Sequence, residues 1–120
     1  MSNVVIYHNP RCSKSRATLK LLRENGIEPT IIEYLSEPPE AAQLDRILRL
    51  LKLEPRQLMR PREAEYADLN LSDNSLTREQ QIDAMIKHPR LIQRPIVLVD
   101  DDKAALGRPP EAVLDILPKT

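Results

Sequence analysis

The chain has 120 residues, enough for one domain rather than two. Lys plus Arg and Asp plus Glu balance at 18 each, a zero formal charge that argues against a dedicated nucleic-acid binder. A single cysteine excludes an internal disulfide and any multi-cysteine zinc or iron–sulfur site.

Val4-Val5-Ile6-Tyr7 is a β-branched run and reads as a buried strand. His8-Asn9-Pro10-Arg11 is a turn, and the pattern from about Cys12 to Asn25 is helical, with Ala17, Leu21 and Leu22 on one face. Gly26 then stops the helix from the C′ position. Thr30 to Tyr34 reads as a second strand, so a parallel strand–helix–strand unit is expected. After the Pro38-Pro39 break, Ala41, Leu44, Ile47, Leu48 and Leu51 repeat at helical spacing. Pro55 to Met59 is a short helix or turn, and Asn70 to Asn74 a loop. Thr77-Arg78-Glu79-Gln80 is a capping box whose helix runs to about His88, before Pro89. Pro95 to Val99 reads as the third strand, Asp100-Asp101-Asp102 as a turn, and Ala104-Ala105-Leu106 as a fourth strand paired with the third in a hairpin. Pro109-Pro110-Glu111 opens a last helix with Val113, Leu114 and Leu117 apolar.

The expected order is βαβ, a helical insertion over approximately 35–94, then ββα, all within one domain spanning 1–120. That α/β order, with a proline opening the third strand, resembles the thioredoxin-like fold. Apolar residues make up 41% but include no Phe or Trp, so the core is expected from Leu, Ile, Val and Ala. No apolar stretch reaches the roughly 20 residues that a membrane-spanning helix needs. No targeting segment is visible, and a lone cysteine fits a reducing compartment, so a cytoplasmic protein is expected.

The chemistry centres on Cys12. It follows a strand and a turn and stands at a helix start, where unpaired N–H groups carry partial positive charge. From Met1 to Arg23 there is no Asp or Glu, while His8, Arg11, Lys14, Arg16, Lys20 and Arg23 lie in that stretch. Such surroundings bring a cysteine pKa from about 8.5 into the range of roughly 3.5 to 7.5. Ser15, three residues on, is positioned to donate a hydrogen bond to the thiolate. Against this stands the common fate of a free cysteine, a small buried apolar residue; the coincidence of turn, helix start and cations favours the reactive thiol. For His8, support of the sulfur and an idle loop histidine stand even. Lys20 and Arg23 read as an ordinary solvated helix face. A tyrosine-phosphatase-like loop requires Arg six positions after the cysteine, and that position is Thr18.

Arg60, Arg94 and Arg108 are candidate anion ligands, since a guanidinium fork matches a tetrahedral oxyanion. The alternative for each is a surface salt bridge. A cis bond before Pro95, as in thioredoxin-like folds, is expected to hold Arg94 near Cys12.

Four stretches resemble the glutaredoxin-coupled arsenate reductases of the thioredoxin-like superfamily. They are Ile6-Tyr7-His8-Asn9-Pro10-Arg11-Cys12-Ser13-Lys14-Ser15-Arg16, Glu28-Pro29-Thr30-Ile31-Ile32-Glu33-Tyr34-Leu35, Leu91-Ile92-Gln93-Arg94-Pro95-Ile96-Val97 and Gly107-Arg108-Pro109-Pro110-Glu111. Leu58-Met59-Arg60 matches more loosely. The resemblance implies Cys12 as nucleophile, His8 and Ser15 as supports of its thiolate, and Arg60, Arg94 and Arg108 as ligands of arsenate or a similar oxyanion. Pro95 would be structural at the site. It further implies glutathione as co-substrate, glutaredoxin as protein partner, and no metal or bound prosthetic group. Asp100, Asp101 and Asp102 are more acidic than that turn in relatives and would repel an oxyanion if they faced the site. Two alternatives stand beside this reading: a glutathione-dependent thiol reductase of another substrate, and a non-enzymatic RNA-polymerase-binding regulator. Ser15, where the regulators carry a second cysteine, counts against the latter.

Overall fold

A computed structural model describes residues 3–118 of the chain. They form two compact units: one holds the described residues up to Glu37 together with those from Arg94 onward, the other is Pro38–Gln93.

The first unit is built on a sheet of β1 (Val4–Tyr7), β2 (Thr30–Ile32), β3 (Ile96–Val99) and β4 (Lys103–Leu106), in the order β2-β1-β3-β4. β1 and β2 run parallel with Tyr7 beside Ile32. β3 is antiparallel to both β1 and β4, the latter pair forming the expected hairpin. Asp100 and Asp101 both take positive φ in its turn, a conformation that aspartate tolerates better than most residues. β3 starts at Ile96 rather than Pro95, since a proline has no N–H for the ladder. β2 stops at Ile32: Ser36 and Glu37 both donate backbone N–H bonds to the Glu33 carbonyl and turn the chain.

Between β1 and β2 runs α1 (Ser13–Glu24). Gly26, at φ +77°, closes it in a Schellman arrangement, with Gly26 N–H on Arg23 O and Ile27 N–H on Leu22 O. Its buried side chains are Ser15, Thr18 and Leu22, whereas Ala17 is exposed, contrary to the sequence expectation. Thr18 can be buried because its hydroxyl donates to Lys14 O at 2.8 Å. The last helical segment, Pro110–Ile116, is a 3-10 helix rather than an α-helix. Three residues per turn align Val113 and Ile116 with the core and leave Leu114 exposed. The core of this unit joins Val4 and Ile6 of β1 to Val97 and Val99 of β3, with Leu22 and Val113 packed on them.

The second unit contains α2 (Ala41–Leu51), α3 (Ala64–Asp68) and α4 (Arg78–Lys87), with 3-10 turns at Pro55–Leu58 and Pro89–Leu91. Leu44, Ile47 and Leu48 of α2 are buried, as their spacing predicts. The capping box of α4 is formed: Thr77 Oγ1 accepts from Gln80 N–H at 3.1 Å and Gln80 Oε1 accepts from Thr77 N–H at 2.8 Å. α3 was not expected; it is five residues long and none is buried, so it has no apolar period to read. Across the described residues no alanine is fully buried, and methionine and tyrosine (Met59, Met85, Tyr7, Tyr34) share the core with Leu, Ile and Val instead.

Candidate active site

The parallel pairing of β1 and β2 brings both strand ends to one edge of the sheet. His8 N–H continues the ladder onto Ile32 O at 2.8 Å. Asn9 then organises the turn into α1. Its carbonyl accepts Cys12 N–H at 3.0 Å, its side-chain Oδ1 accepts Arg11 N–H at 3.0 Å, and its own N–H donates to Ser15 Oγ at 3.1 Å. Cys12 is the extended residue capping α1, and its side chain makes no capping bond. The positive end of α1 lies at Cys12, and α1 has no acidic residue in its first turn to compete.

Cys12 is free and half-buried. Burial pushes its thiol up, but the Ser15 N–H, the Arg94 guanidinium, the Lys14 N–H and the Arg94 charge outweigh it and hold the group below its ordinary value. Arg94 acts on the Cys12 thiol, and the Arg94–Pro95 bond is cis. Ser15 supports the sulfur differently from the expectation. Its backbone N–H faces the thiolate, while its fully buried hydroxyl holds the Asn9 turn.

His8 is buried, and desolvation carries its pKa below the ordinary value; Glu33 raises it, while Arg23 and Arg16 lower it further. The imidazole is therefore neutral near pH 7 and does not serve Cys12 as a cation. Its Nδ1 is buried without a hydrogen-bond partner.

Arg108 belongs to the same neighbourhood: its Nη1 donates to Arg94 O at 3.1 Å, and its side chain is exposed. The Arg108–Pro109 bond is also cis. Asp100, Asp101 and Asp102 do not face this site. Their turn follows Val99, which pairs with Val4 at the opposite end of β1 from Tyr7 and His8. Arg60 lies in the second unit, where its guanidinium meets Glu63 at 2.8 Å and Glu63 also holds Arg90 at 3.0 Å.

The sequence reading missed two residues. Asn9 reads in the sequence only as part of the His8-Asn9-Pro10-Arg11 turn, although an Asx residue ahead of a helix start is a readable signal. Tyr34 looked like a strand residue. In the structure it is almost fully buried, burial raises its phenol to about 12, and Arg94, Cys12 and Asn9 all act on its ionisation. Among the described residues, no group of three or more His, Cys, Asp or Glu side chains is placed to hold a metal ion, and no helix is long and apolar enough to cross a membrane.

This architecture recurs in known proteins. The Escherichia coli (strain K12) protein named "Uncharacterized protein YfgD" is 54% identical over 115 residues, covering 95% of this chain and 96% of its own. An Escherichia coli protein named arsenate reductase is 47% identical over 118 residues, covering 98% of this chain and 83% of its own. The solved structure of the arsenate reductase from Vibrio cholerae matches with a TM-score of 0.92 at 50% identity, covering 96% of this chain and 98% of that one. A model of the ArsC family matches residues 7–116, and with relatives of this similarity along nearly its whole length, the chain belongs to the ArsC family.

Proposed function

We propose that this protein is an arsenate reductase that works through Cys12 with glutathione and glutaredoxin as reductants. The observation that carries the reading is a half-buried Cys12 at the start of α1, whose thiol is held below its ordinary value by the Ser15 and Lys14 N–H groups and by Arg94. That set stabilises a thiolate nucleophile and offers cationic donors to a tetrahedral oxyanion beside it. Family membership and relatives named arsenate reductase supply the substrate.

In the proposed cycle the Cys12 thiolate attacks arsenic, forming an S–As bond as one arsenate oxygen leaves as water. A glutathione thiolate then attacks the Cys12 sulfur. The S–As bond breaks, its electron pair stays on arsenic, and arsenite departs while a Cys12–glutathione disulfide forms. Glutaredoxin thiol attack on the glutathione sulfur frees Cys12. These 120 residues hold no second cysteine, which accords with an external resolving thiol. Such chemistry suits a reducing, cytoplasmic setting.

Arg94 and Arg108 are the proposed oxyanion ligands on the Cys12 side, supported by the effect of Arg94 on the Cys12 thiol and the Arg108 hydrogen bond to Arg94 O. The role of Arg60 rests on the resemblance. The test is arsenite formation from arsenate with glutathione and glutaredoxin supplied. Wild type is expected to turn over, Cys12→Ser to show none, and Arg94→Ala to lose roughly tenfold to a hundredfold, the worth of a hydrogen bond to a charged group. Absence of arsenite from wild type, or full activity of Cys12→Ser, overturns the reading. Glutathione-dependent thiol reduction of another substrate then takes its place.

A further inference from the structure

Arg16 stands one helical turn after Cys12. Its backbone N–H donates to Cys12 O at 3.0 Å, so the two residues share one line along the surface of α1. Helical side chains lean back toward the N-terminus, and Arg16 does so: its Nη1 donates to Pro10 O at 2.9 Å, in the turn that carries Cys12. Its charge is felt at His8, just beyond β1. The side chain is exposed all the same.

Arg23, Arg49, Arg60, Arg78 and Arg90 each meet a carboxylate. Arg16 meets none among the described residues, and from Met1 to Arg23 the chain has no Asp or Glu to offer it. Its tether to a backbone carbonyl fixes the guanidinium beside the Cys12 turn while its charge stays uncompensated. Arg108 is the parallel case, exposed and held by Nη1 on Arg94 O. A guanidinium held in this way keeps N–H donors for an incoming anion.

The proposed cycle brings two anionic ligands to Cys12, and their shapes differ. Arsenate bonds to the sulfur itself, so its oxygens belong with Arg94, the guanidinium that acts on the thiol. Glutathione attacks the same sulfur, but its two carboxylates lie at the ends of the tripeptide, several bonds from its thiol. A cation on the exposed flank of the turn suits that second ligand.

We propose that Arg16 binds a carboxylate of glutathione as its thiolate attacks the Cys12 sulfur, making Arg16 a binding residue for the co-substrate. The inference rests on the glutathione step of the function proposed above and deepens it.

The test isolates that attack and contains no arsenate. Reaction with dipyridyl disulfide converts Cys12, the single cysteine of the chain, to a 2-thiopyridyl disulfide. Attack of a glutathione thiolate on the Cys12 sulfur then forms a Cys12–glutathione disulfide and expels 2-thiopyridone, whose absorbance gives the rate. Glutathione is compared with its diethyl ester, which lacks both carboxylates, and the same two thiols acting on free dipyridyl disulfide supply the intrinsic ratio. Wild type is expected to favour glutathione beyond that ratio, and the preference to shrink as potassium chloride is added. Arg16→Gln is expected to lower the glutathione rate roughly threefold to tenfold, between the worth of an exposed ion pair and that of a hydrogen bond to a charged group, and to leave the ester rate unchanged. Arg16→Lys should fall between them, since it keeps the charge and loses the fork. Equal slowing of both thiols in Arg16→Gln would assign Arg16 to the Pro10 turn alone and overturn the inference. An unaltered glutathione rate in that variant, or no preference in wild type, overturns it as well. In each of these cases the arsenate reading stands or falls by its own assay of arsenite formation. A wild-type Cys12 that does not react with dipyridyl disulfide overturns the reactive thiol and this inference together.

Discussion

A histidine four residues before a cysteine invites an ion-pair account, and burial decides against it. His8 sits among groups that desolvate its imidazole, so its folded-state pKa lies below the ordinary value near 6.5. Below that value the unfolded chain binds a proton that the folded one resists. Stability from His8 is therefore fully present above about pH 6.5 and lost as pH falls through the lower folded value. His8→Gln is expected to flatten the decline of the urea midpoint between about pH 7.5 and 5, above the range where most carboxylates titrate. It is also expected to leave the alkylation pH profile of Cys12 where it was, since a neutral ring gives the thiolate no charge. An unchanged stability slope, or a raised Cys12 pKa, would restore the cationic role.

At the scale of elements, the site depends on how tightly α1 approaches the hairpin. Gly107, just after β4, donates its N–H to Pro95 O at 2.9 Å. A Cβ there would stand 2.7 Å from Pro95 Cγ and would collide with Thr18 Oγ1. Thr18 cannot yield cheaply, because it is fully buried and its hydroxyl is bonded to Lys14 O. Gly107→Ala is therefore expected to cost about 1–3 kcal/mol, the usual range for overpacking. Equilibrium urea unfolding measures it. A wild-type midpoint would show that this approach is looser than described. Because Gly107 precedes Arg108, the same variant is expected to weaken oxyanion protection of Cys12.

Across the whole molecule, exposure rather than residue type sets the worth of each leucine. Leu48 of α2 is fully buried, whereas Leu114 in the last 3-10 turn is 40% exposed. Leu48→Ala removes a side chain from a packed interior and is expected to cost about 2–5 kcal/mol. Leu114→Ala gives up only part of that contact and is expected to cost well under half as much. Chemical denaturation of the two variants side by side checks the ordering. Equal losses would place Leu114 in the core, as its apolar character alone had suggested.

What was legible in the sequence is what short stretches of chain decide for themselves. β-Branched runs made β1 and β3, the capping box made α4, Gly26 ended α1, and the acidic turn closed the hairpin, each through forces acting within a few residues. The placement of Cys12 at a helix start came from the same local logic, and the lowered thiol pKa followed from it. Tertiary structure alone decided the rest, because burial and long-range approach are not properties of a short window. It turned Ala17 outward and Ser15 and Thr18 inward, and exchanged an α-helix for a 3-10 turn after Pro109. It took the proton from His8 by removing water, and gave the sulfur the N–H of Ser15 rather than its hydroxyl. The charge of Arg94, remote in sequence, reached Cys12 only because β3 pairs with β1. That same pairing carried the acidic turn to the far end of the sheet, where it does not oppose an anion. Tyr34 was shut away from water, its phenol raised to about 12, only once the parallel strands had ended side by side.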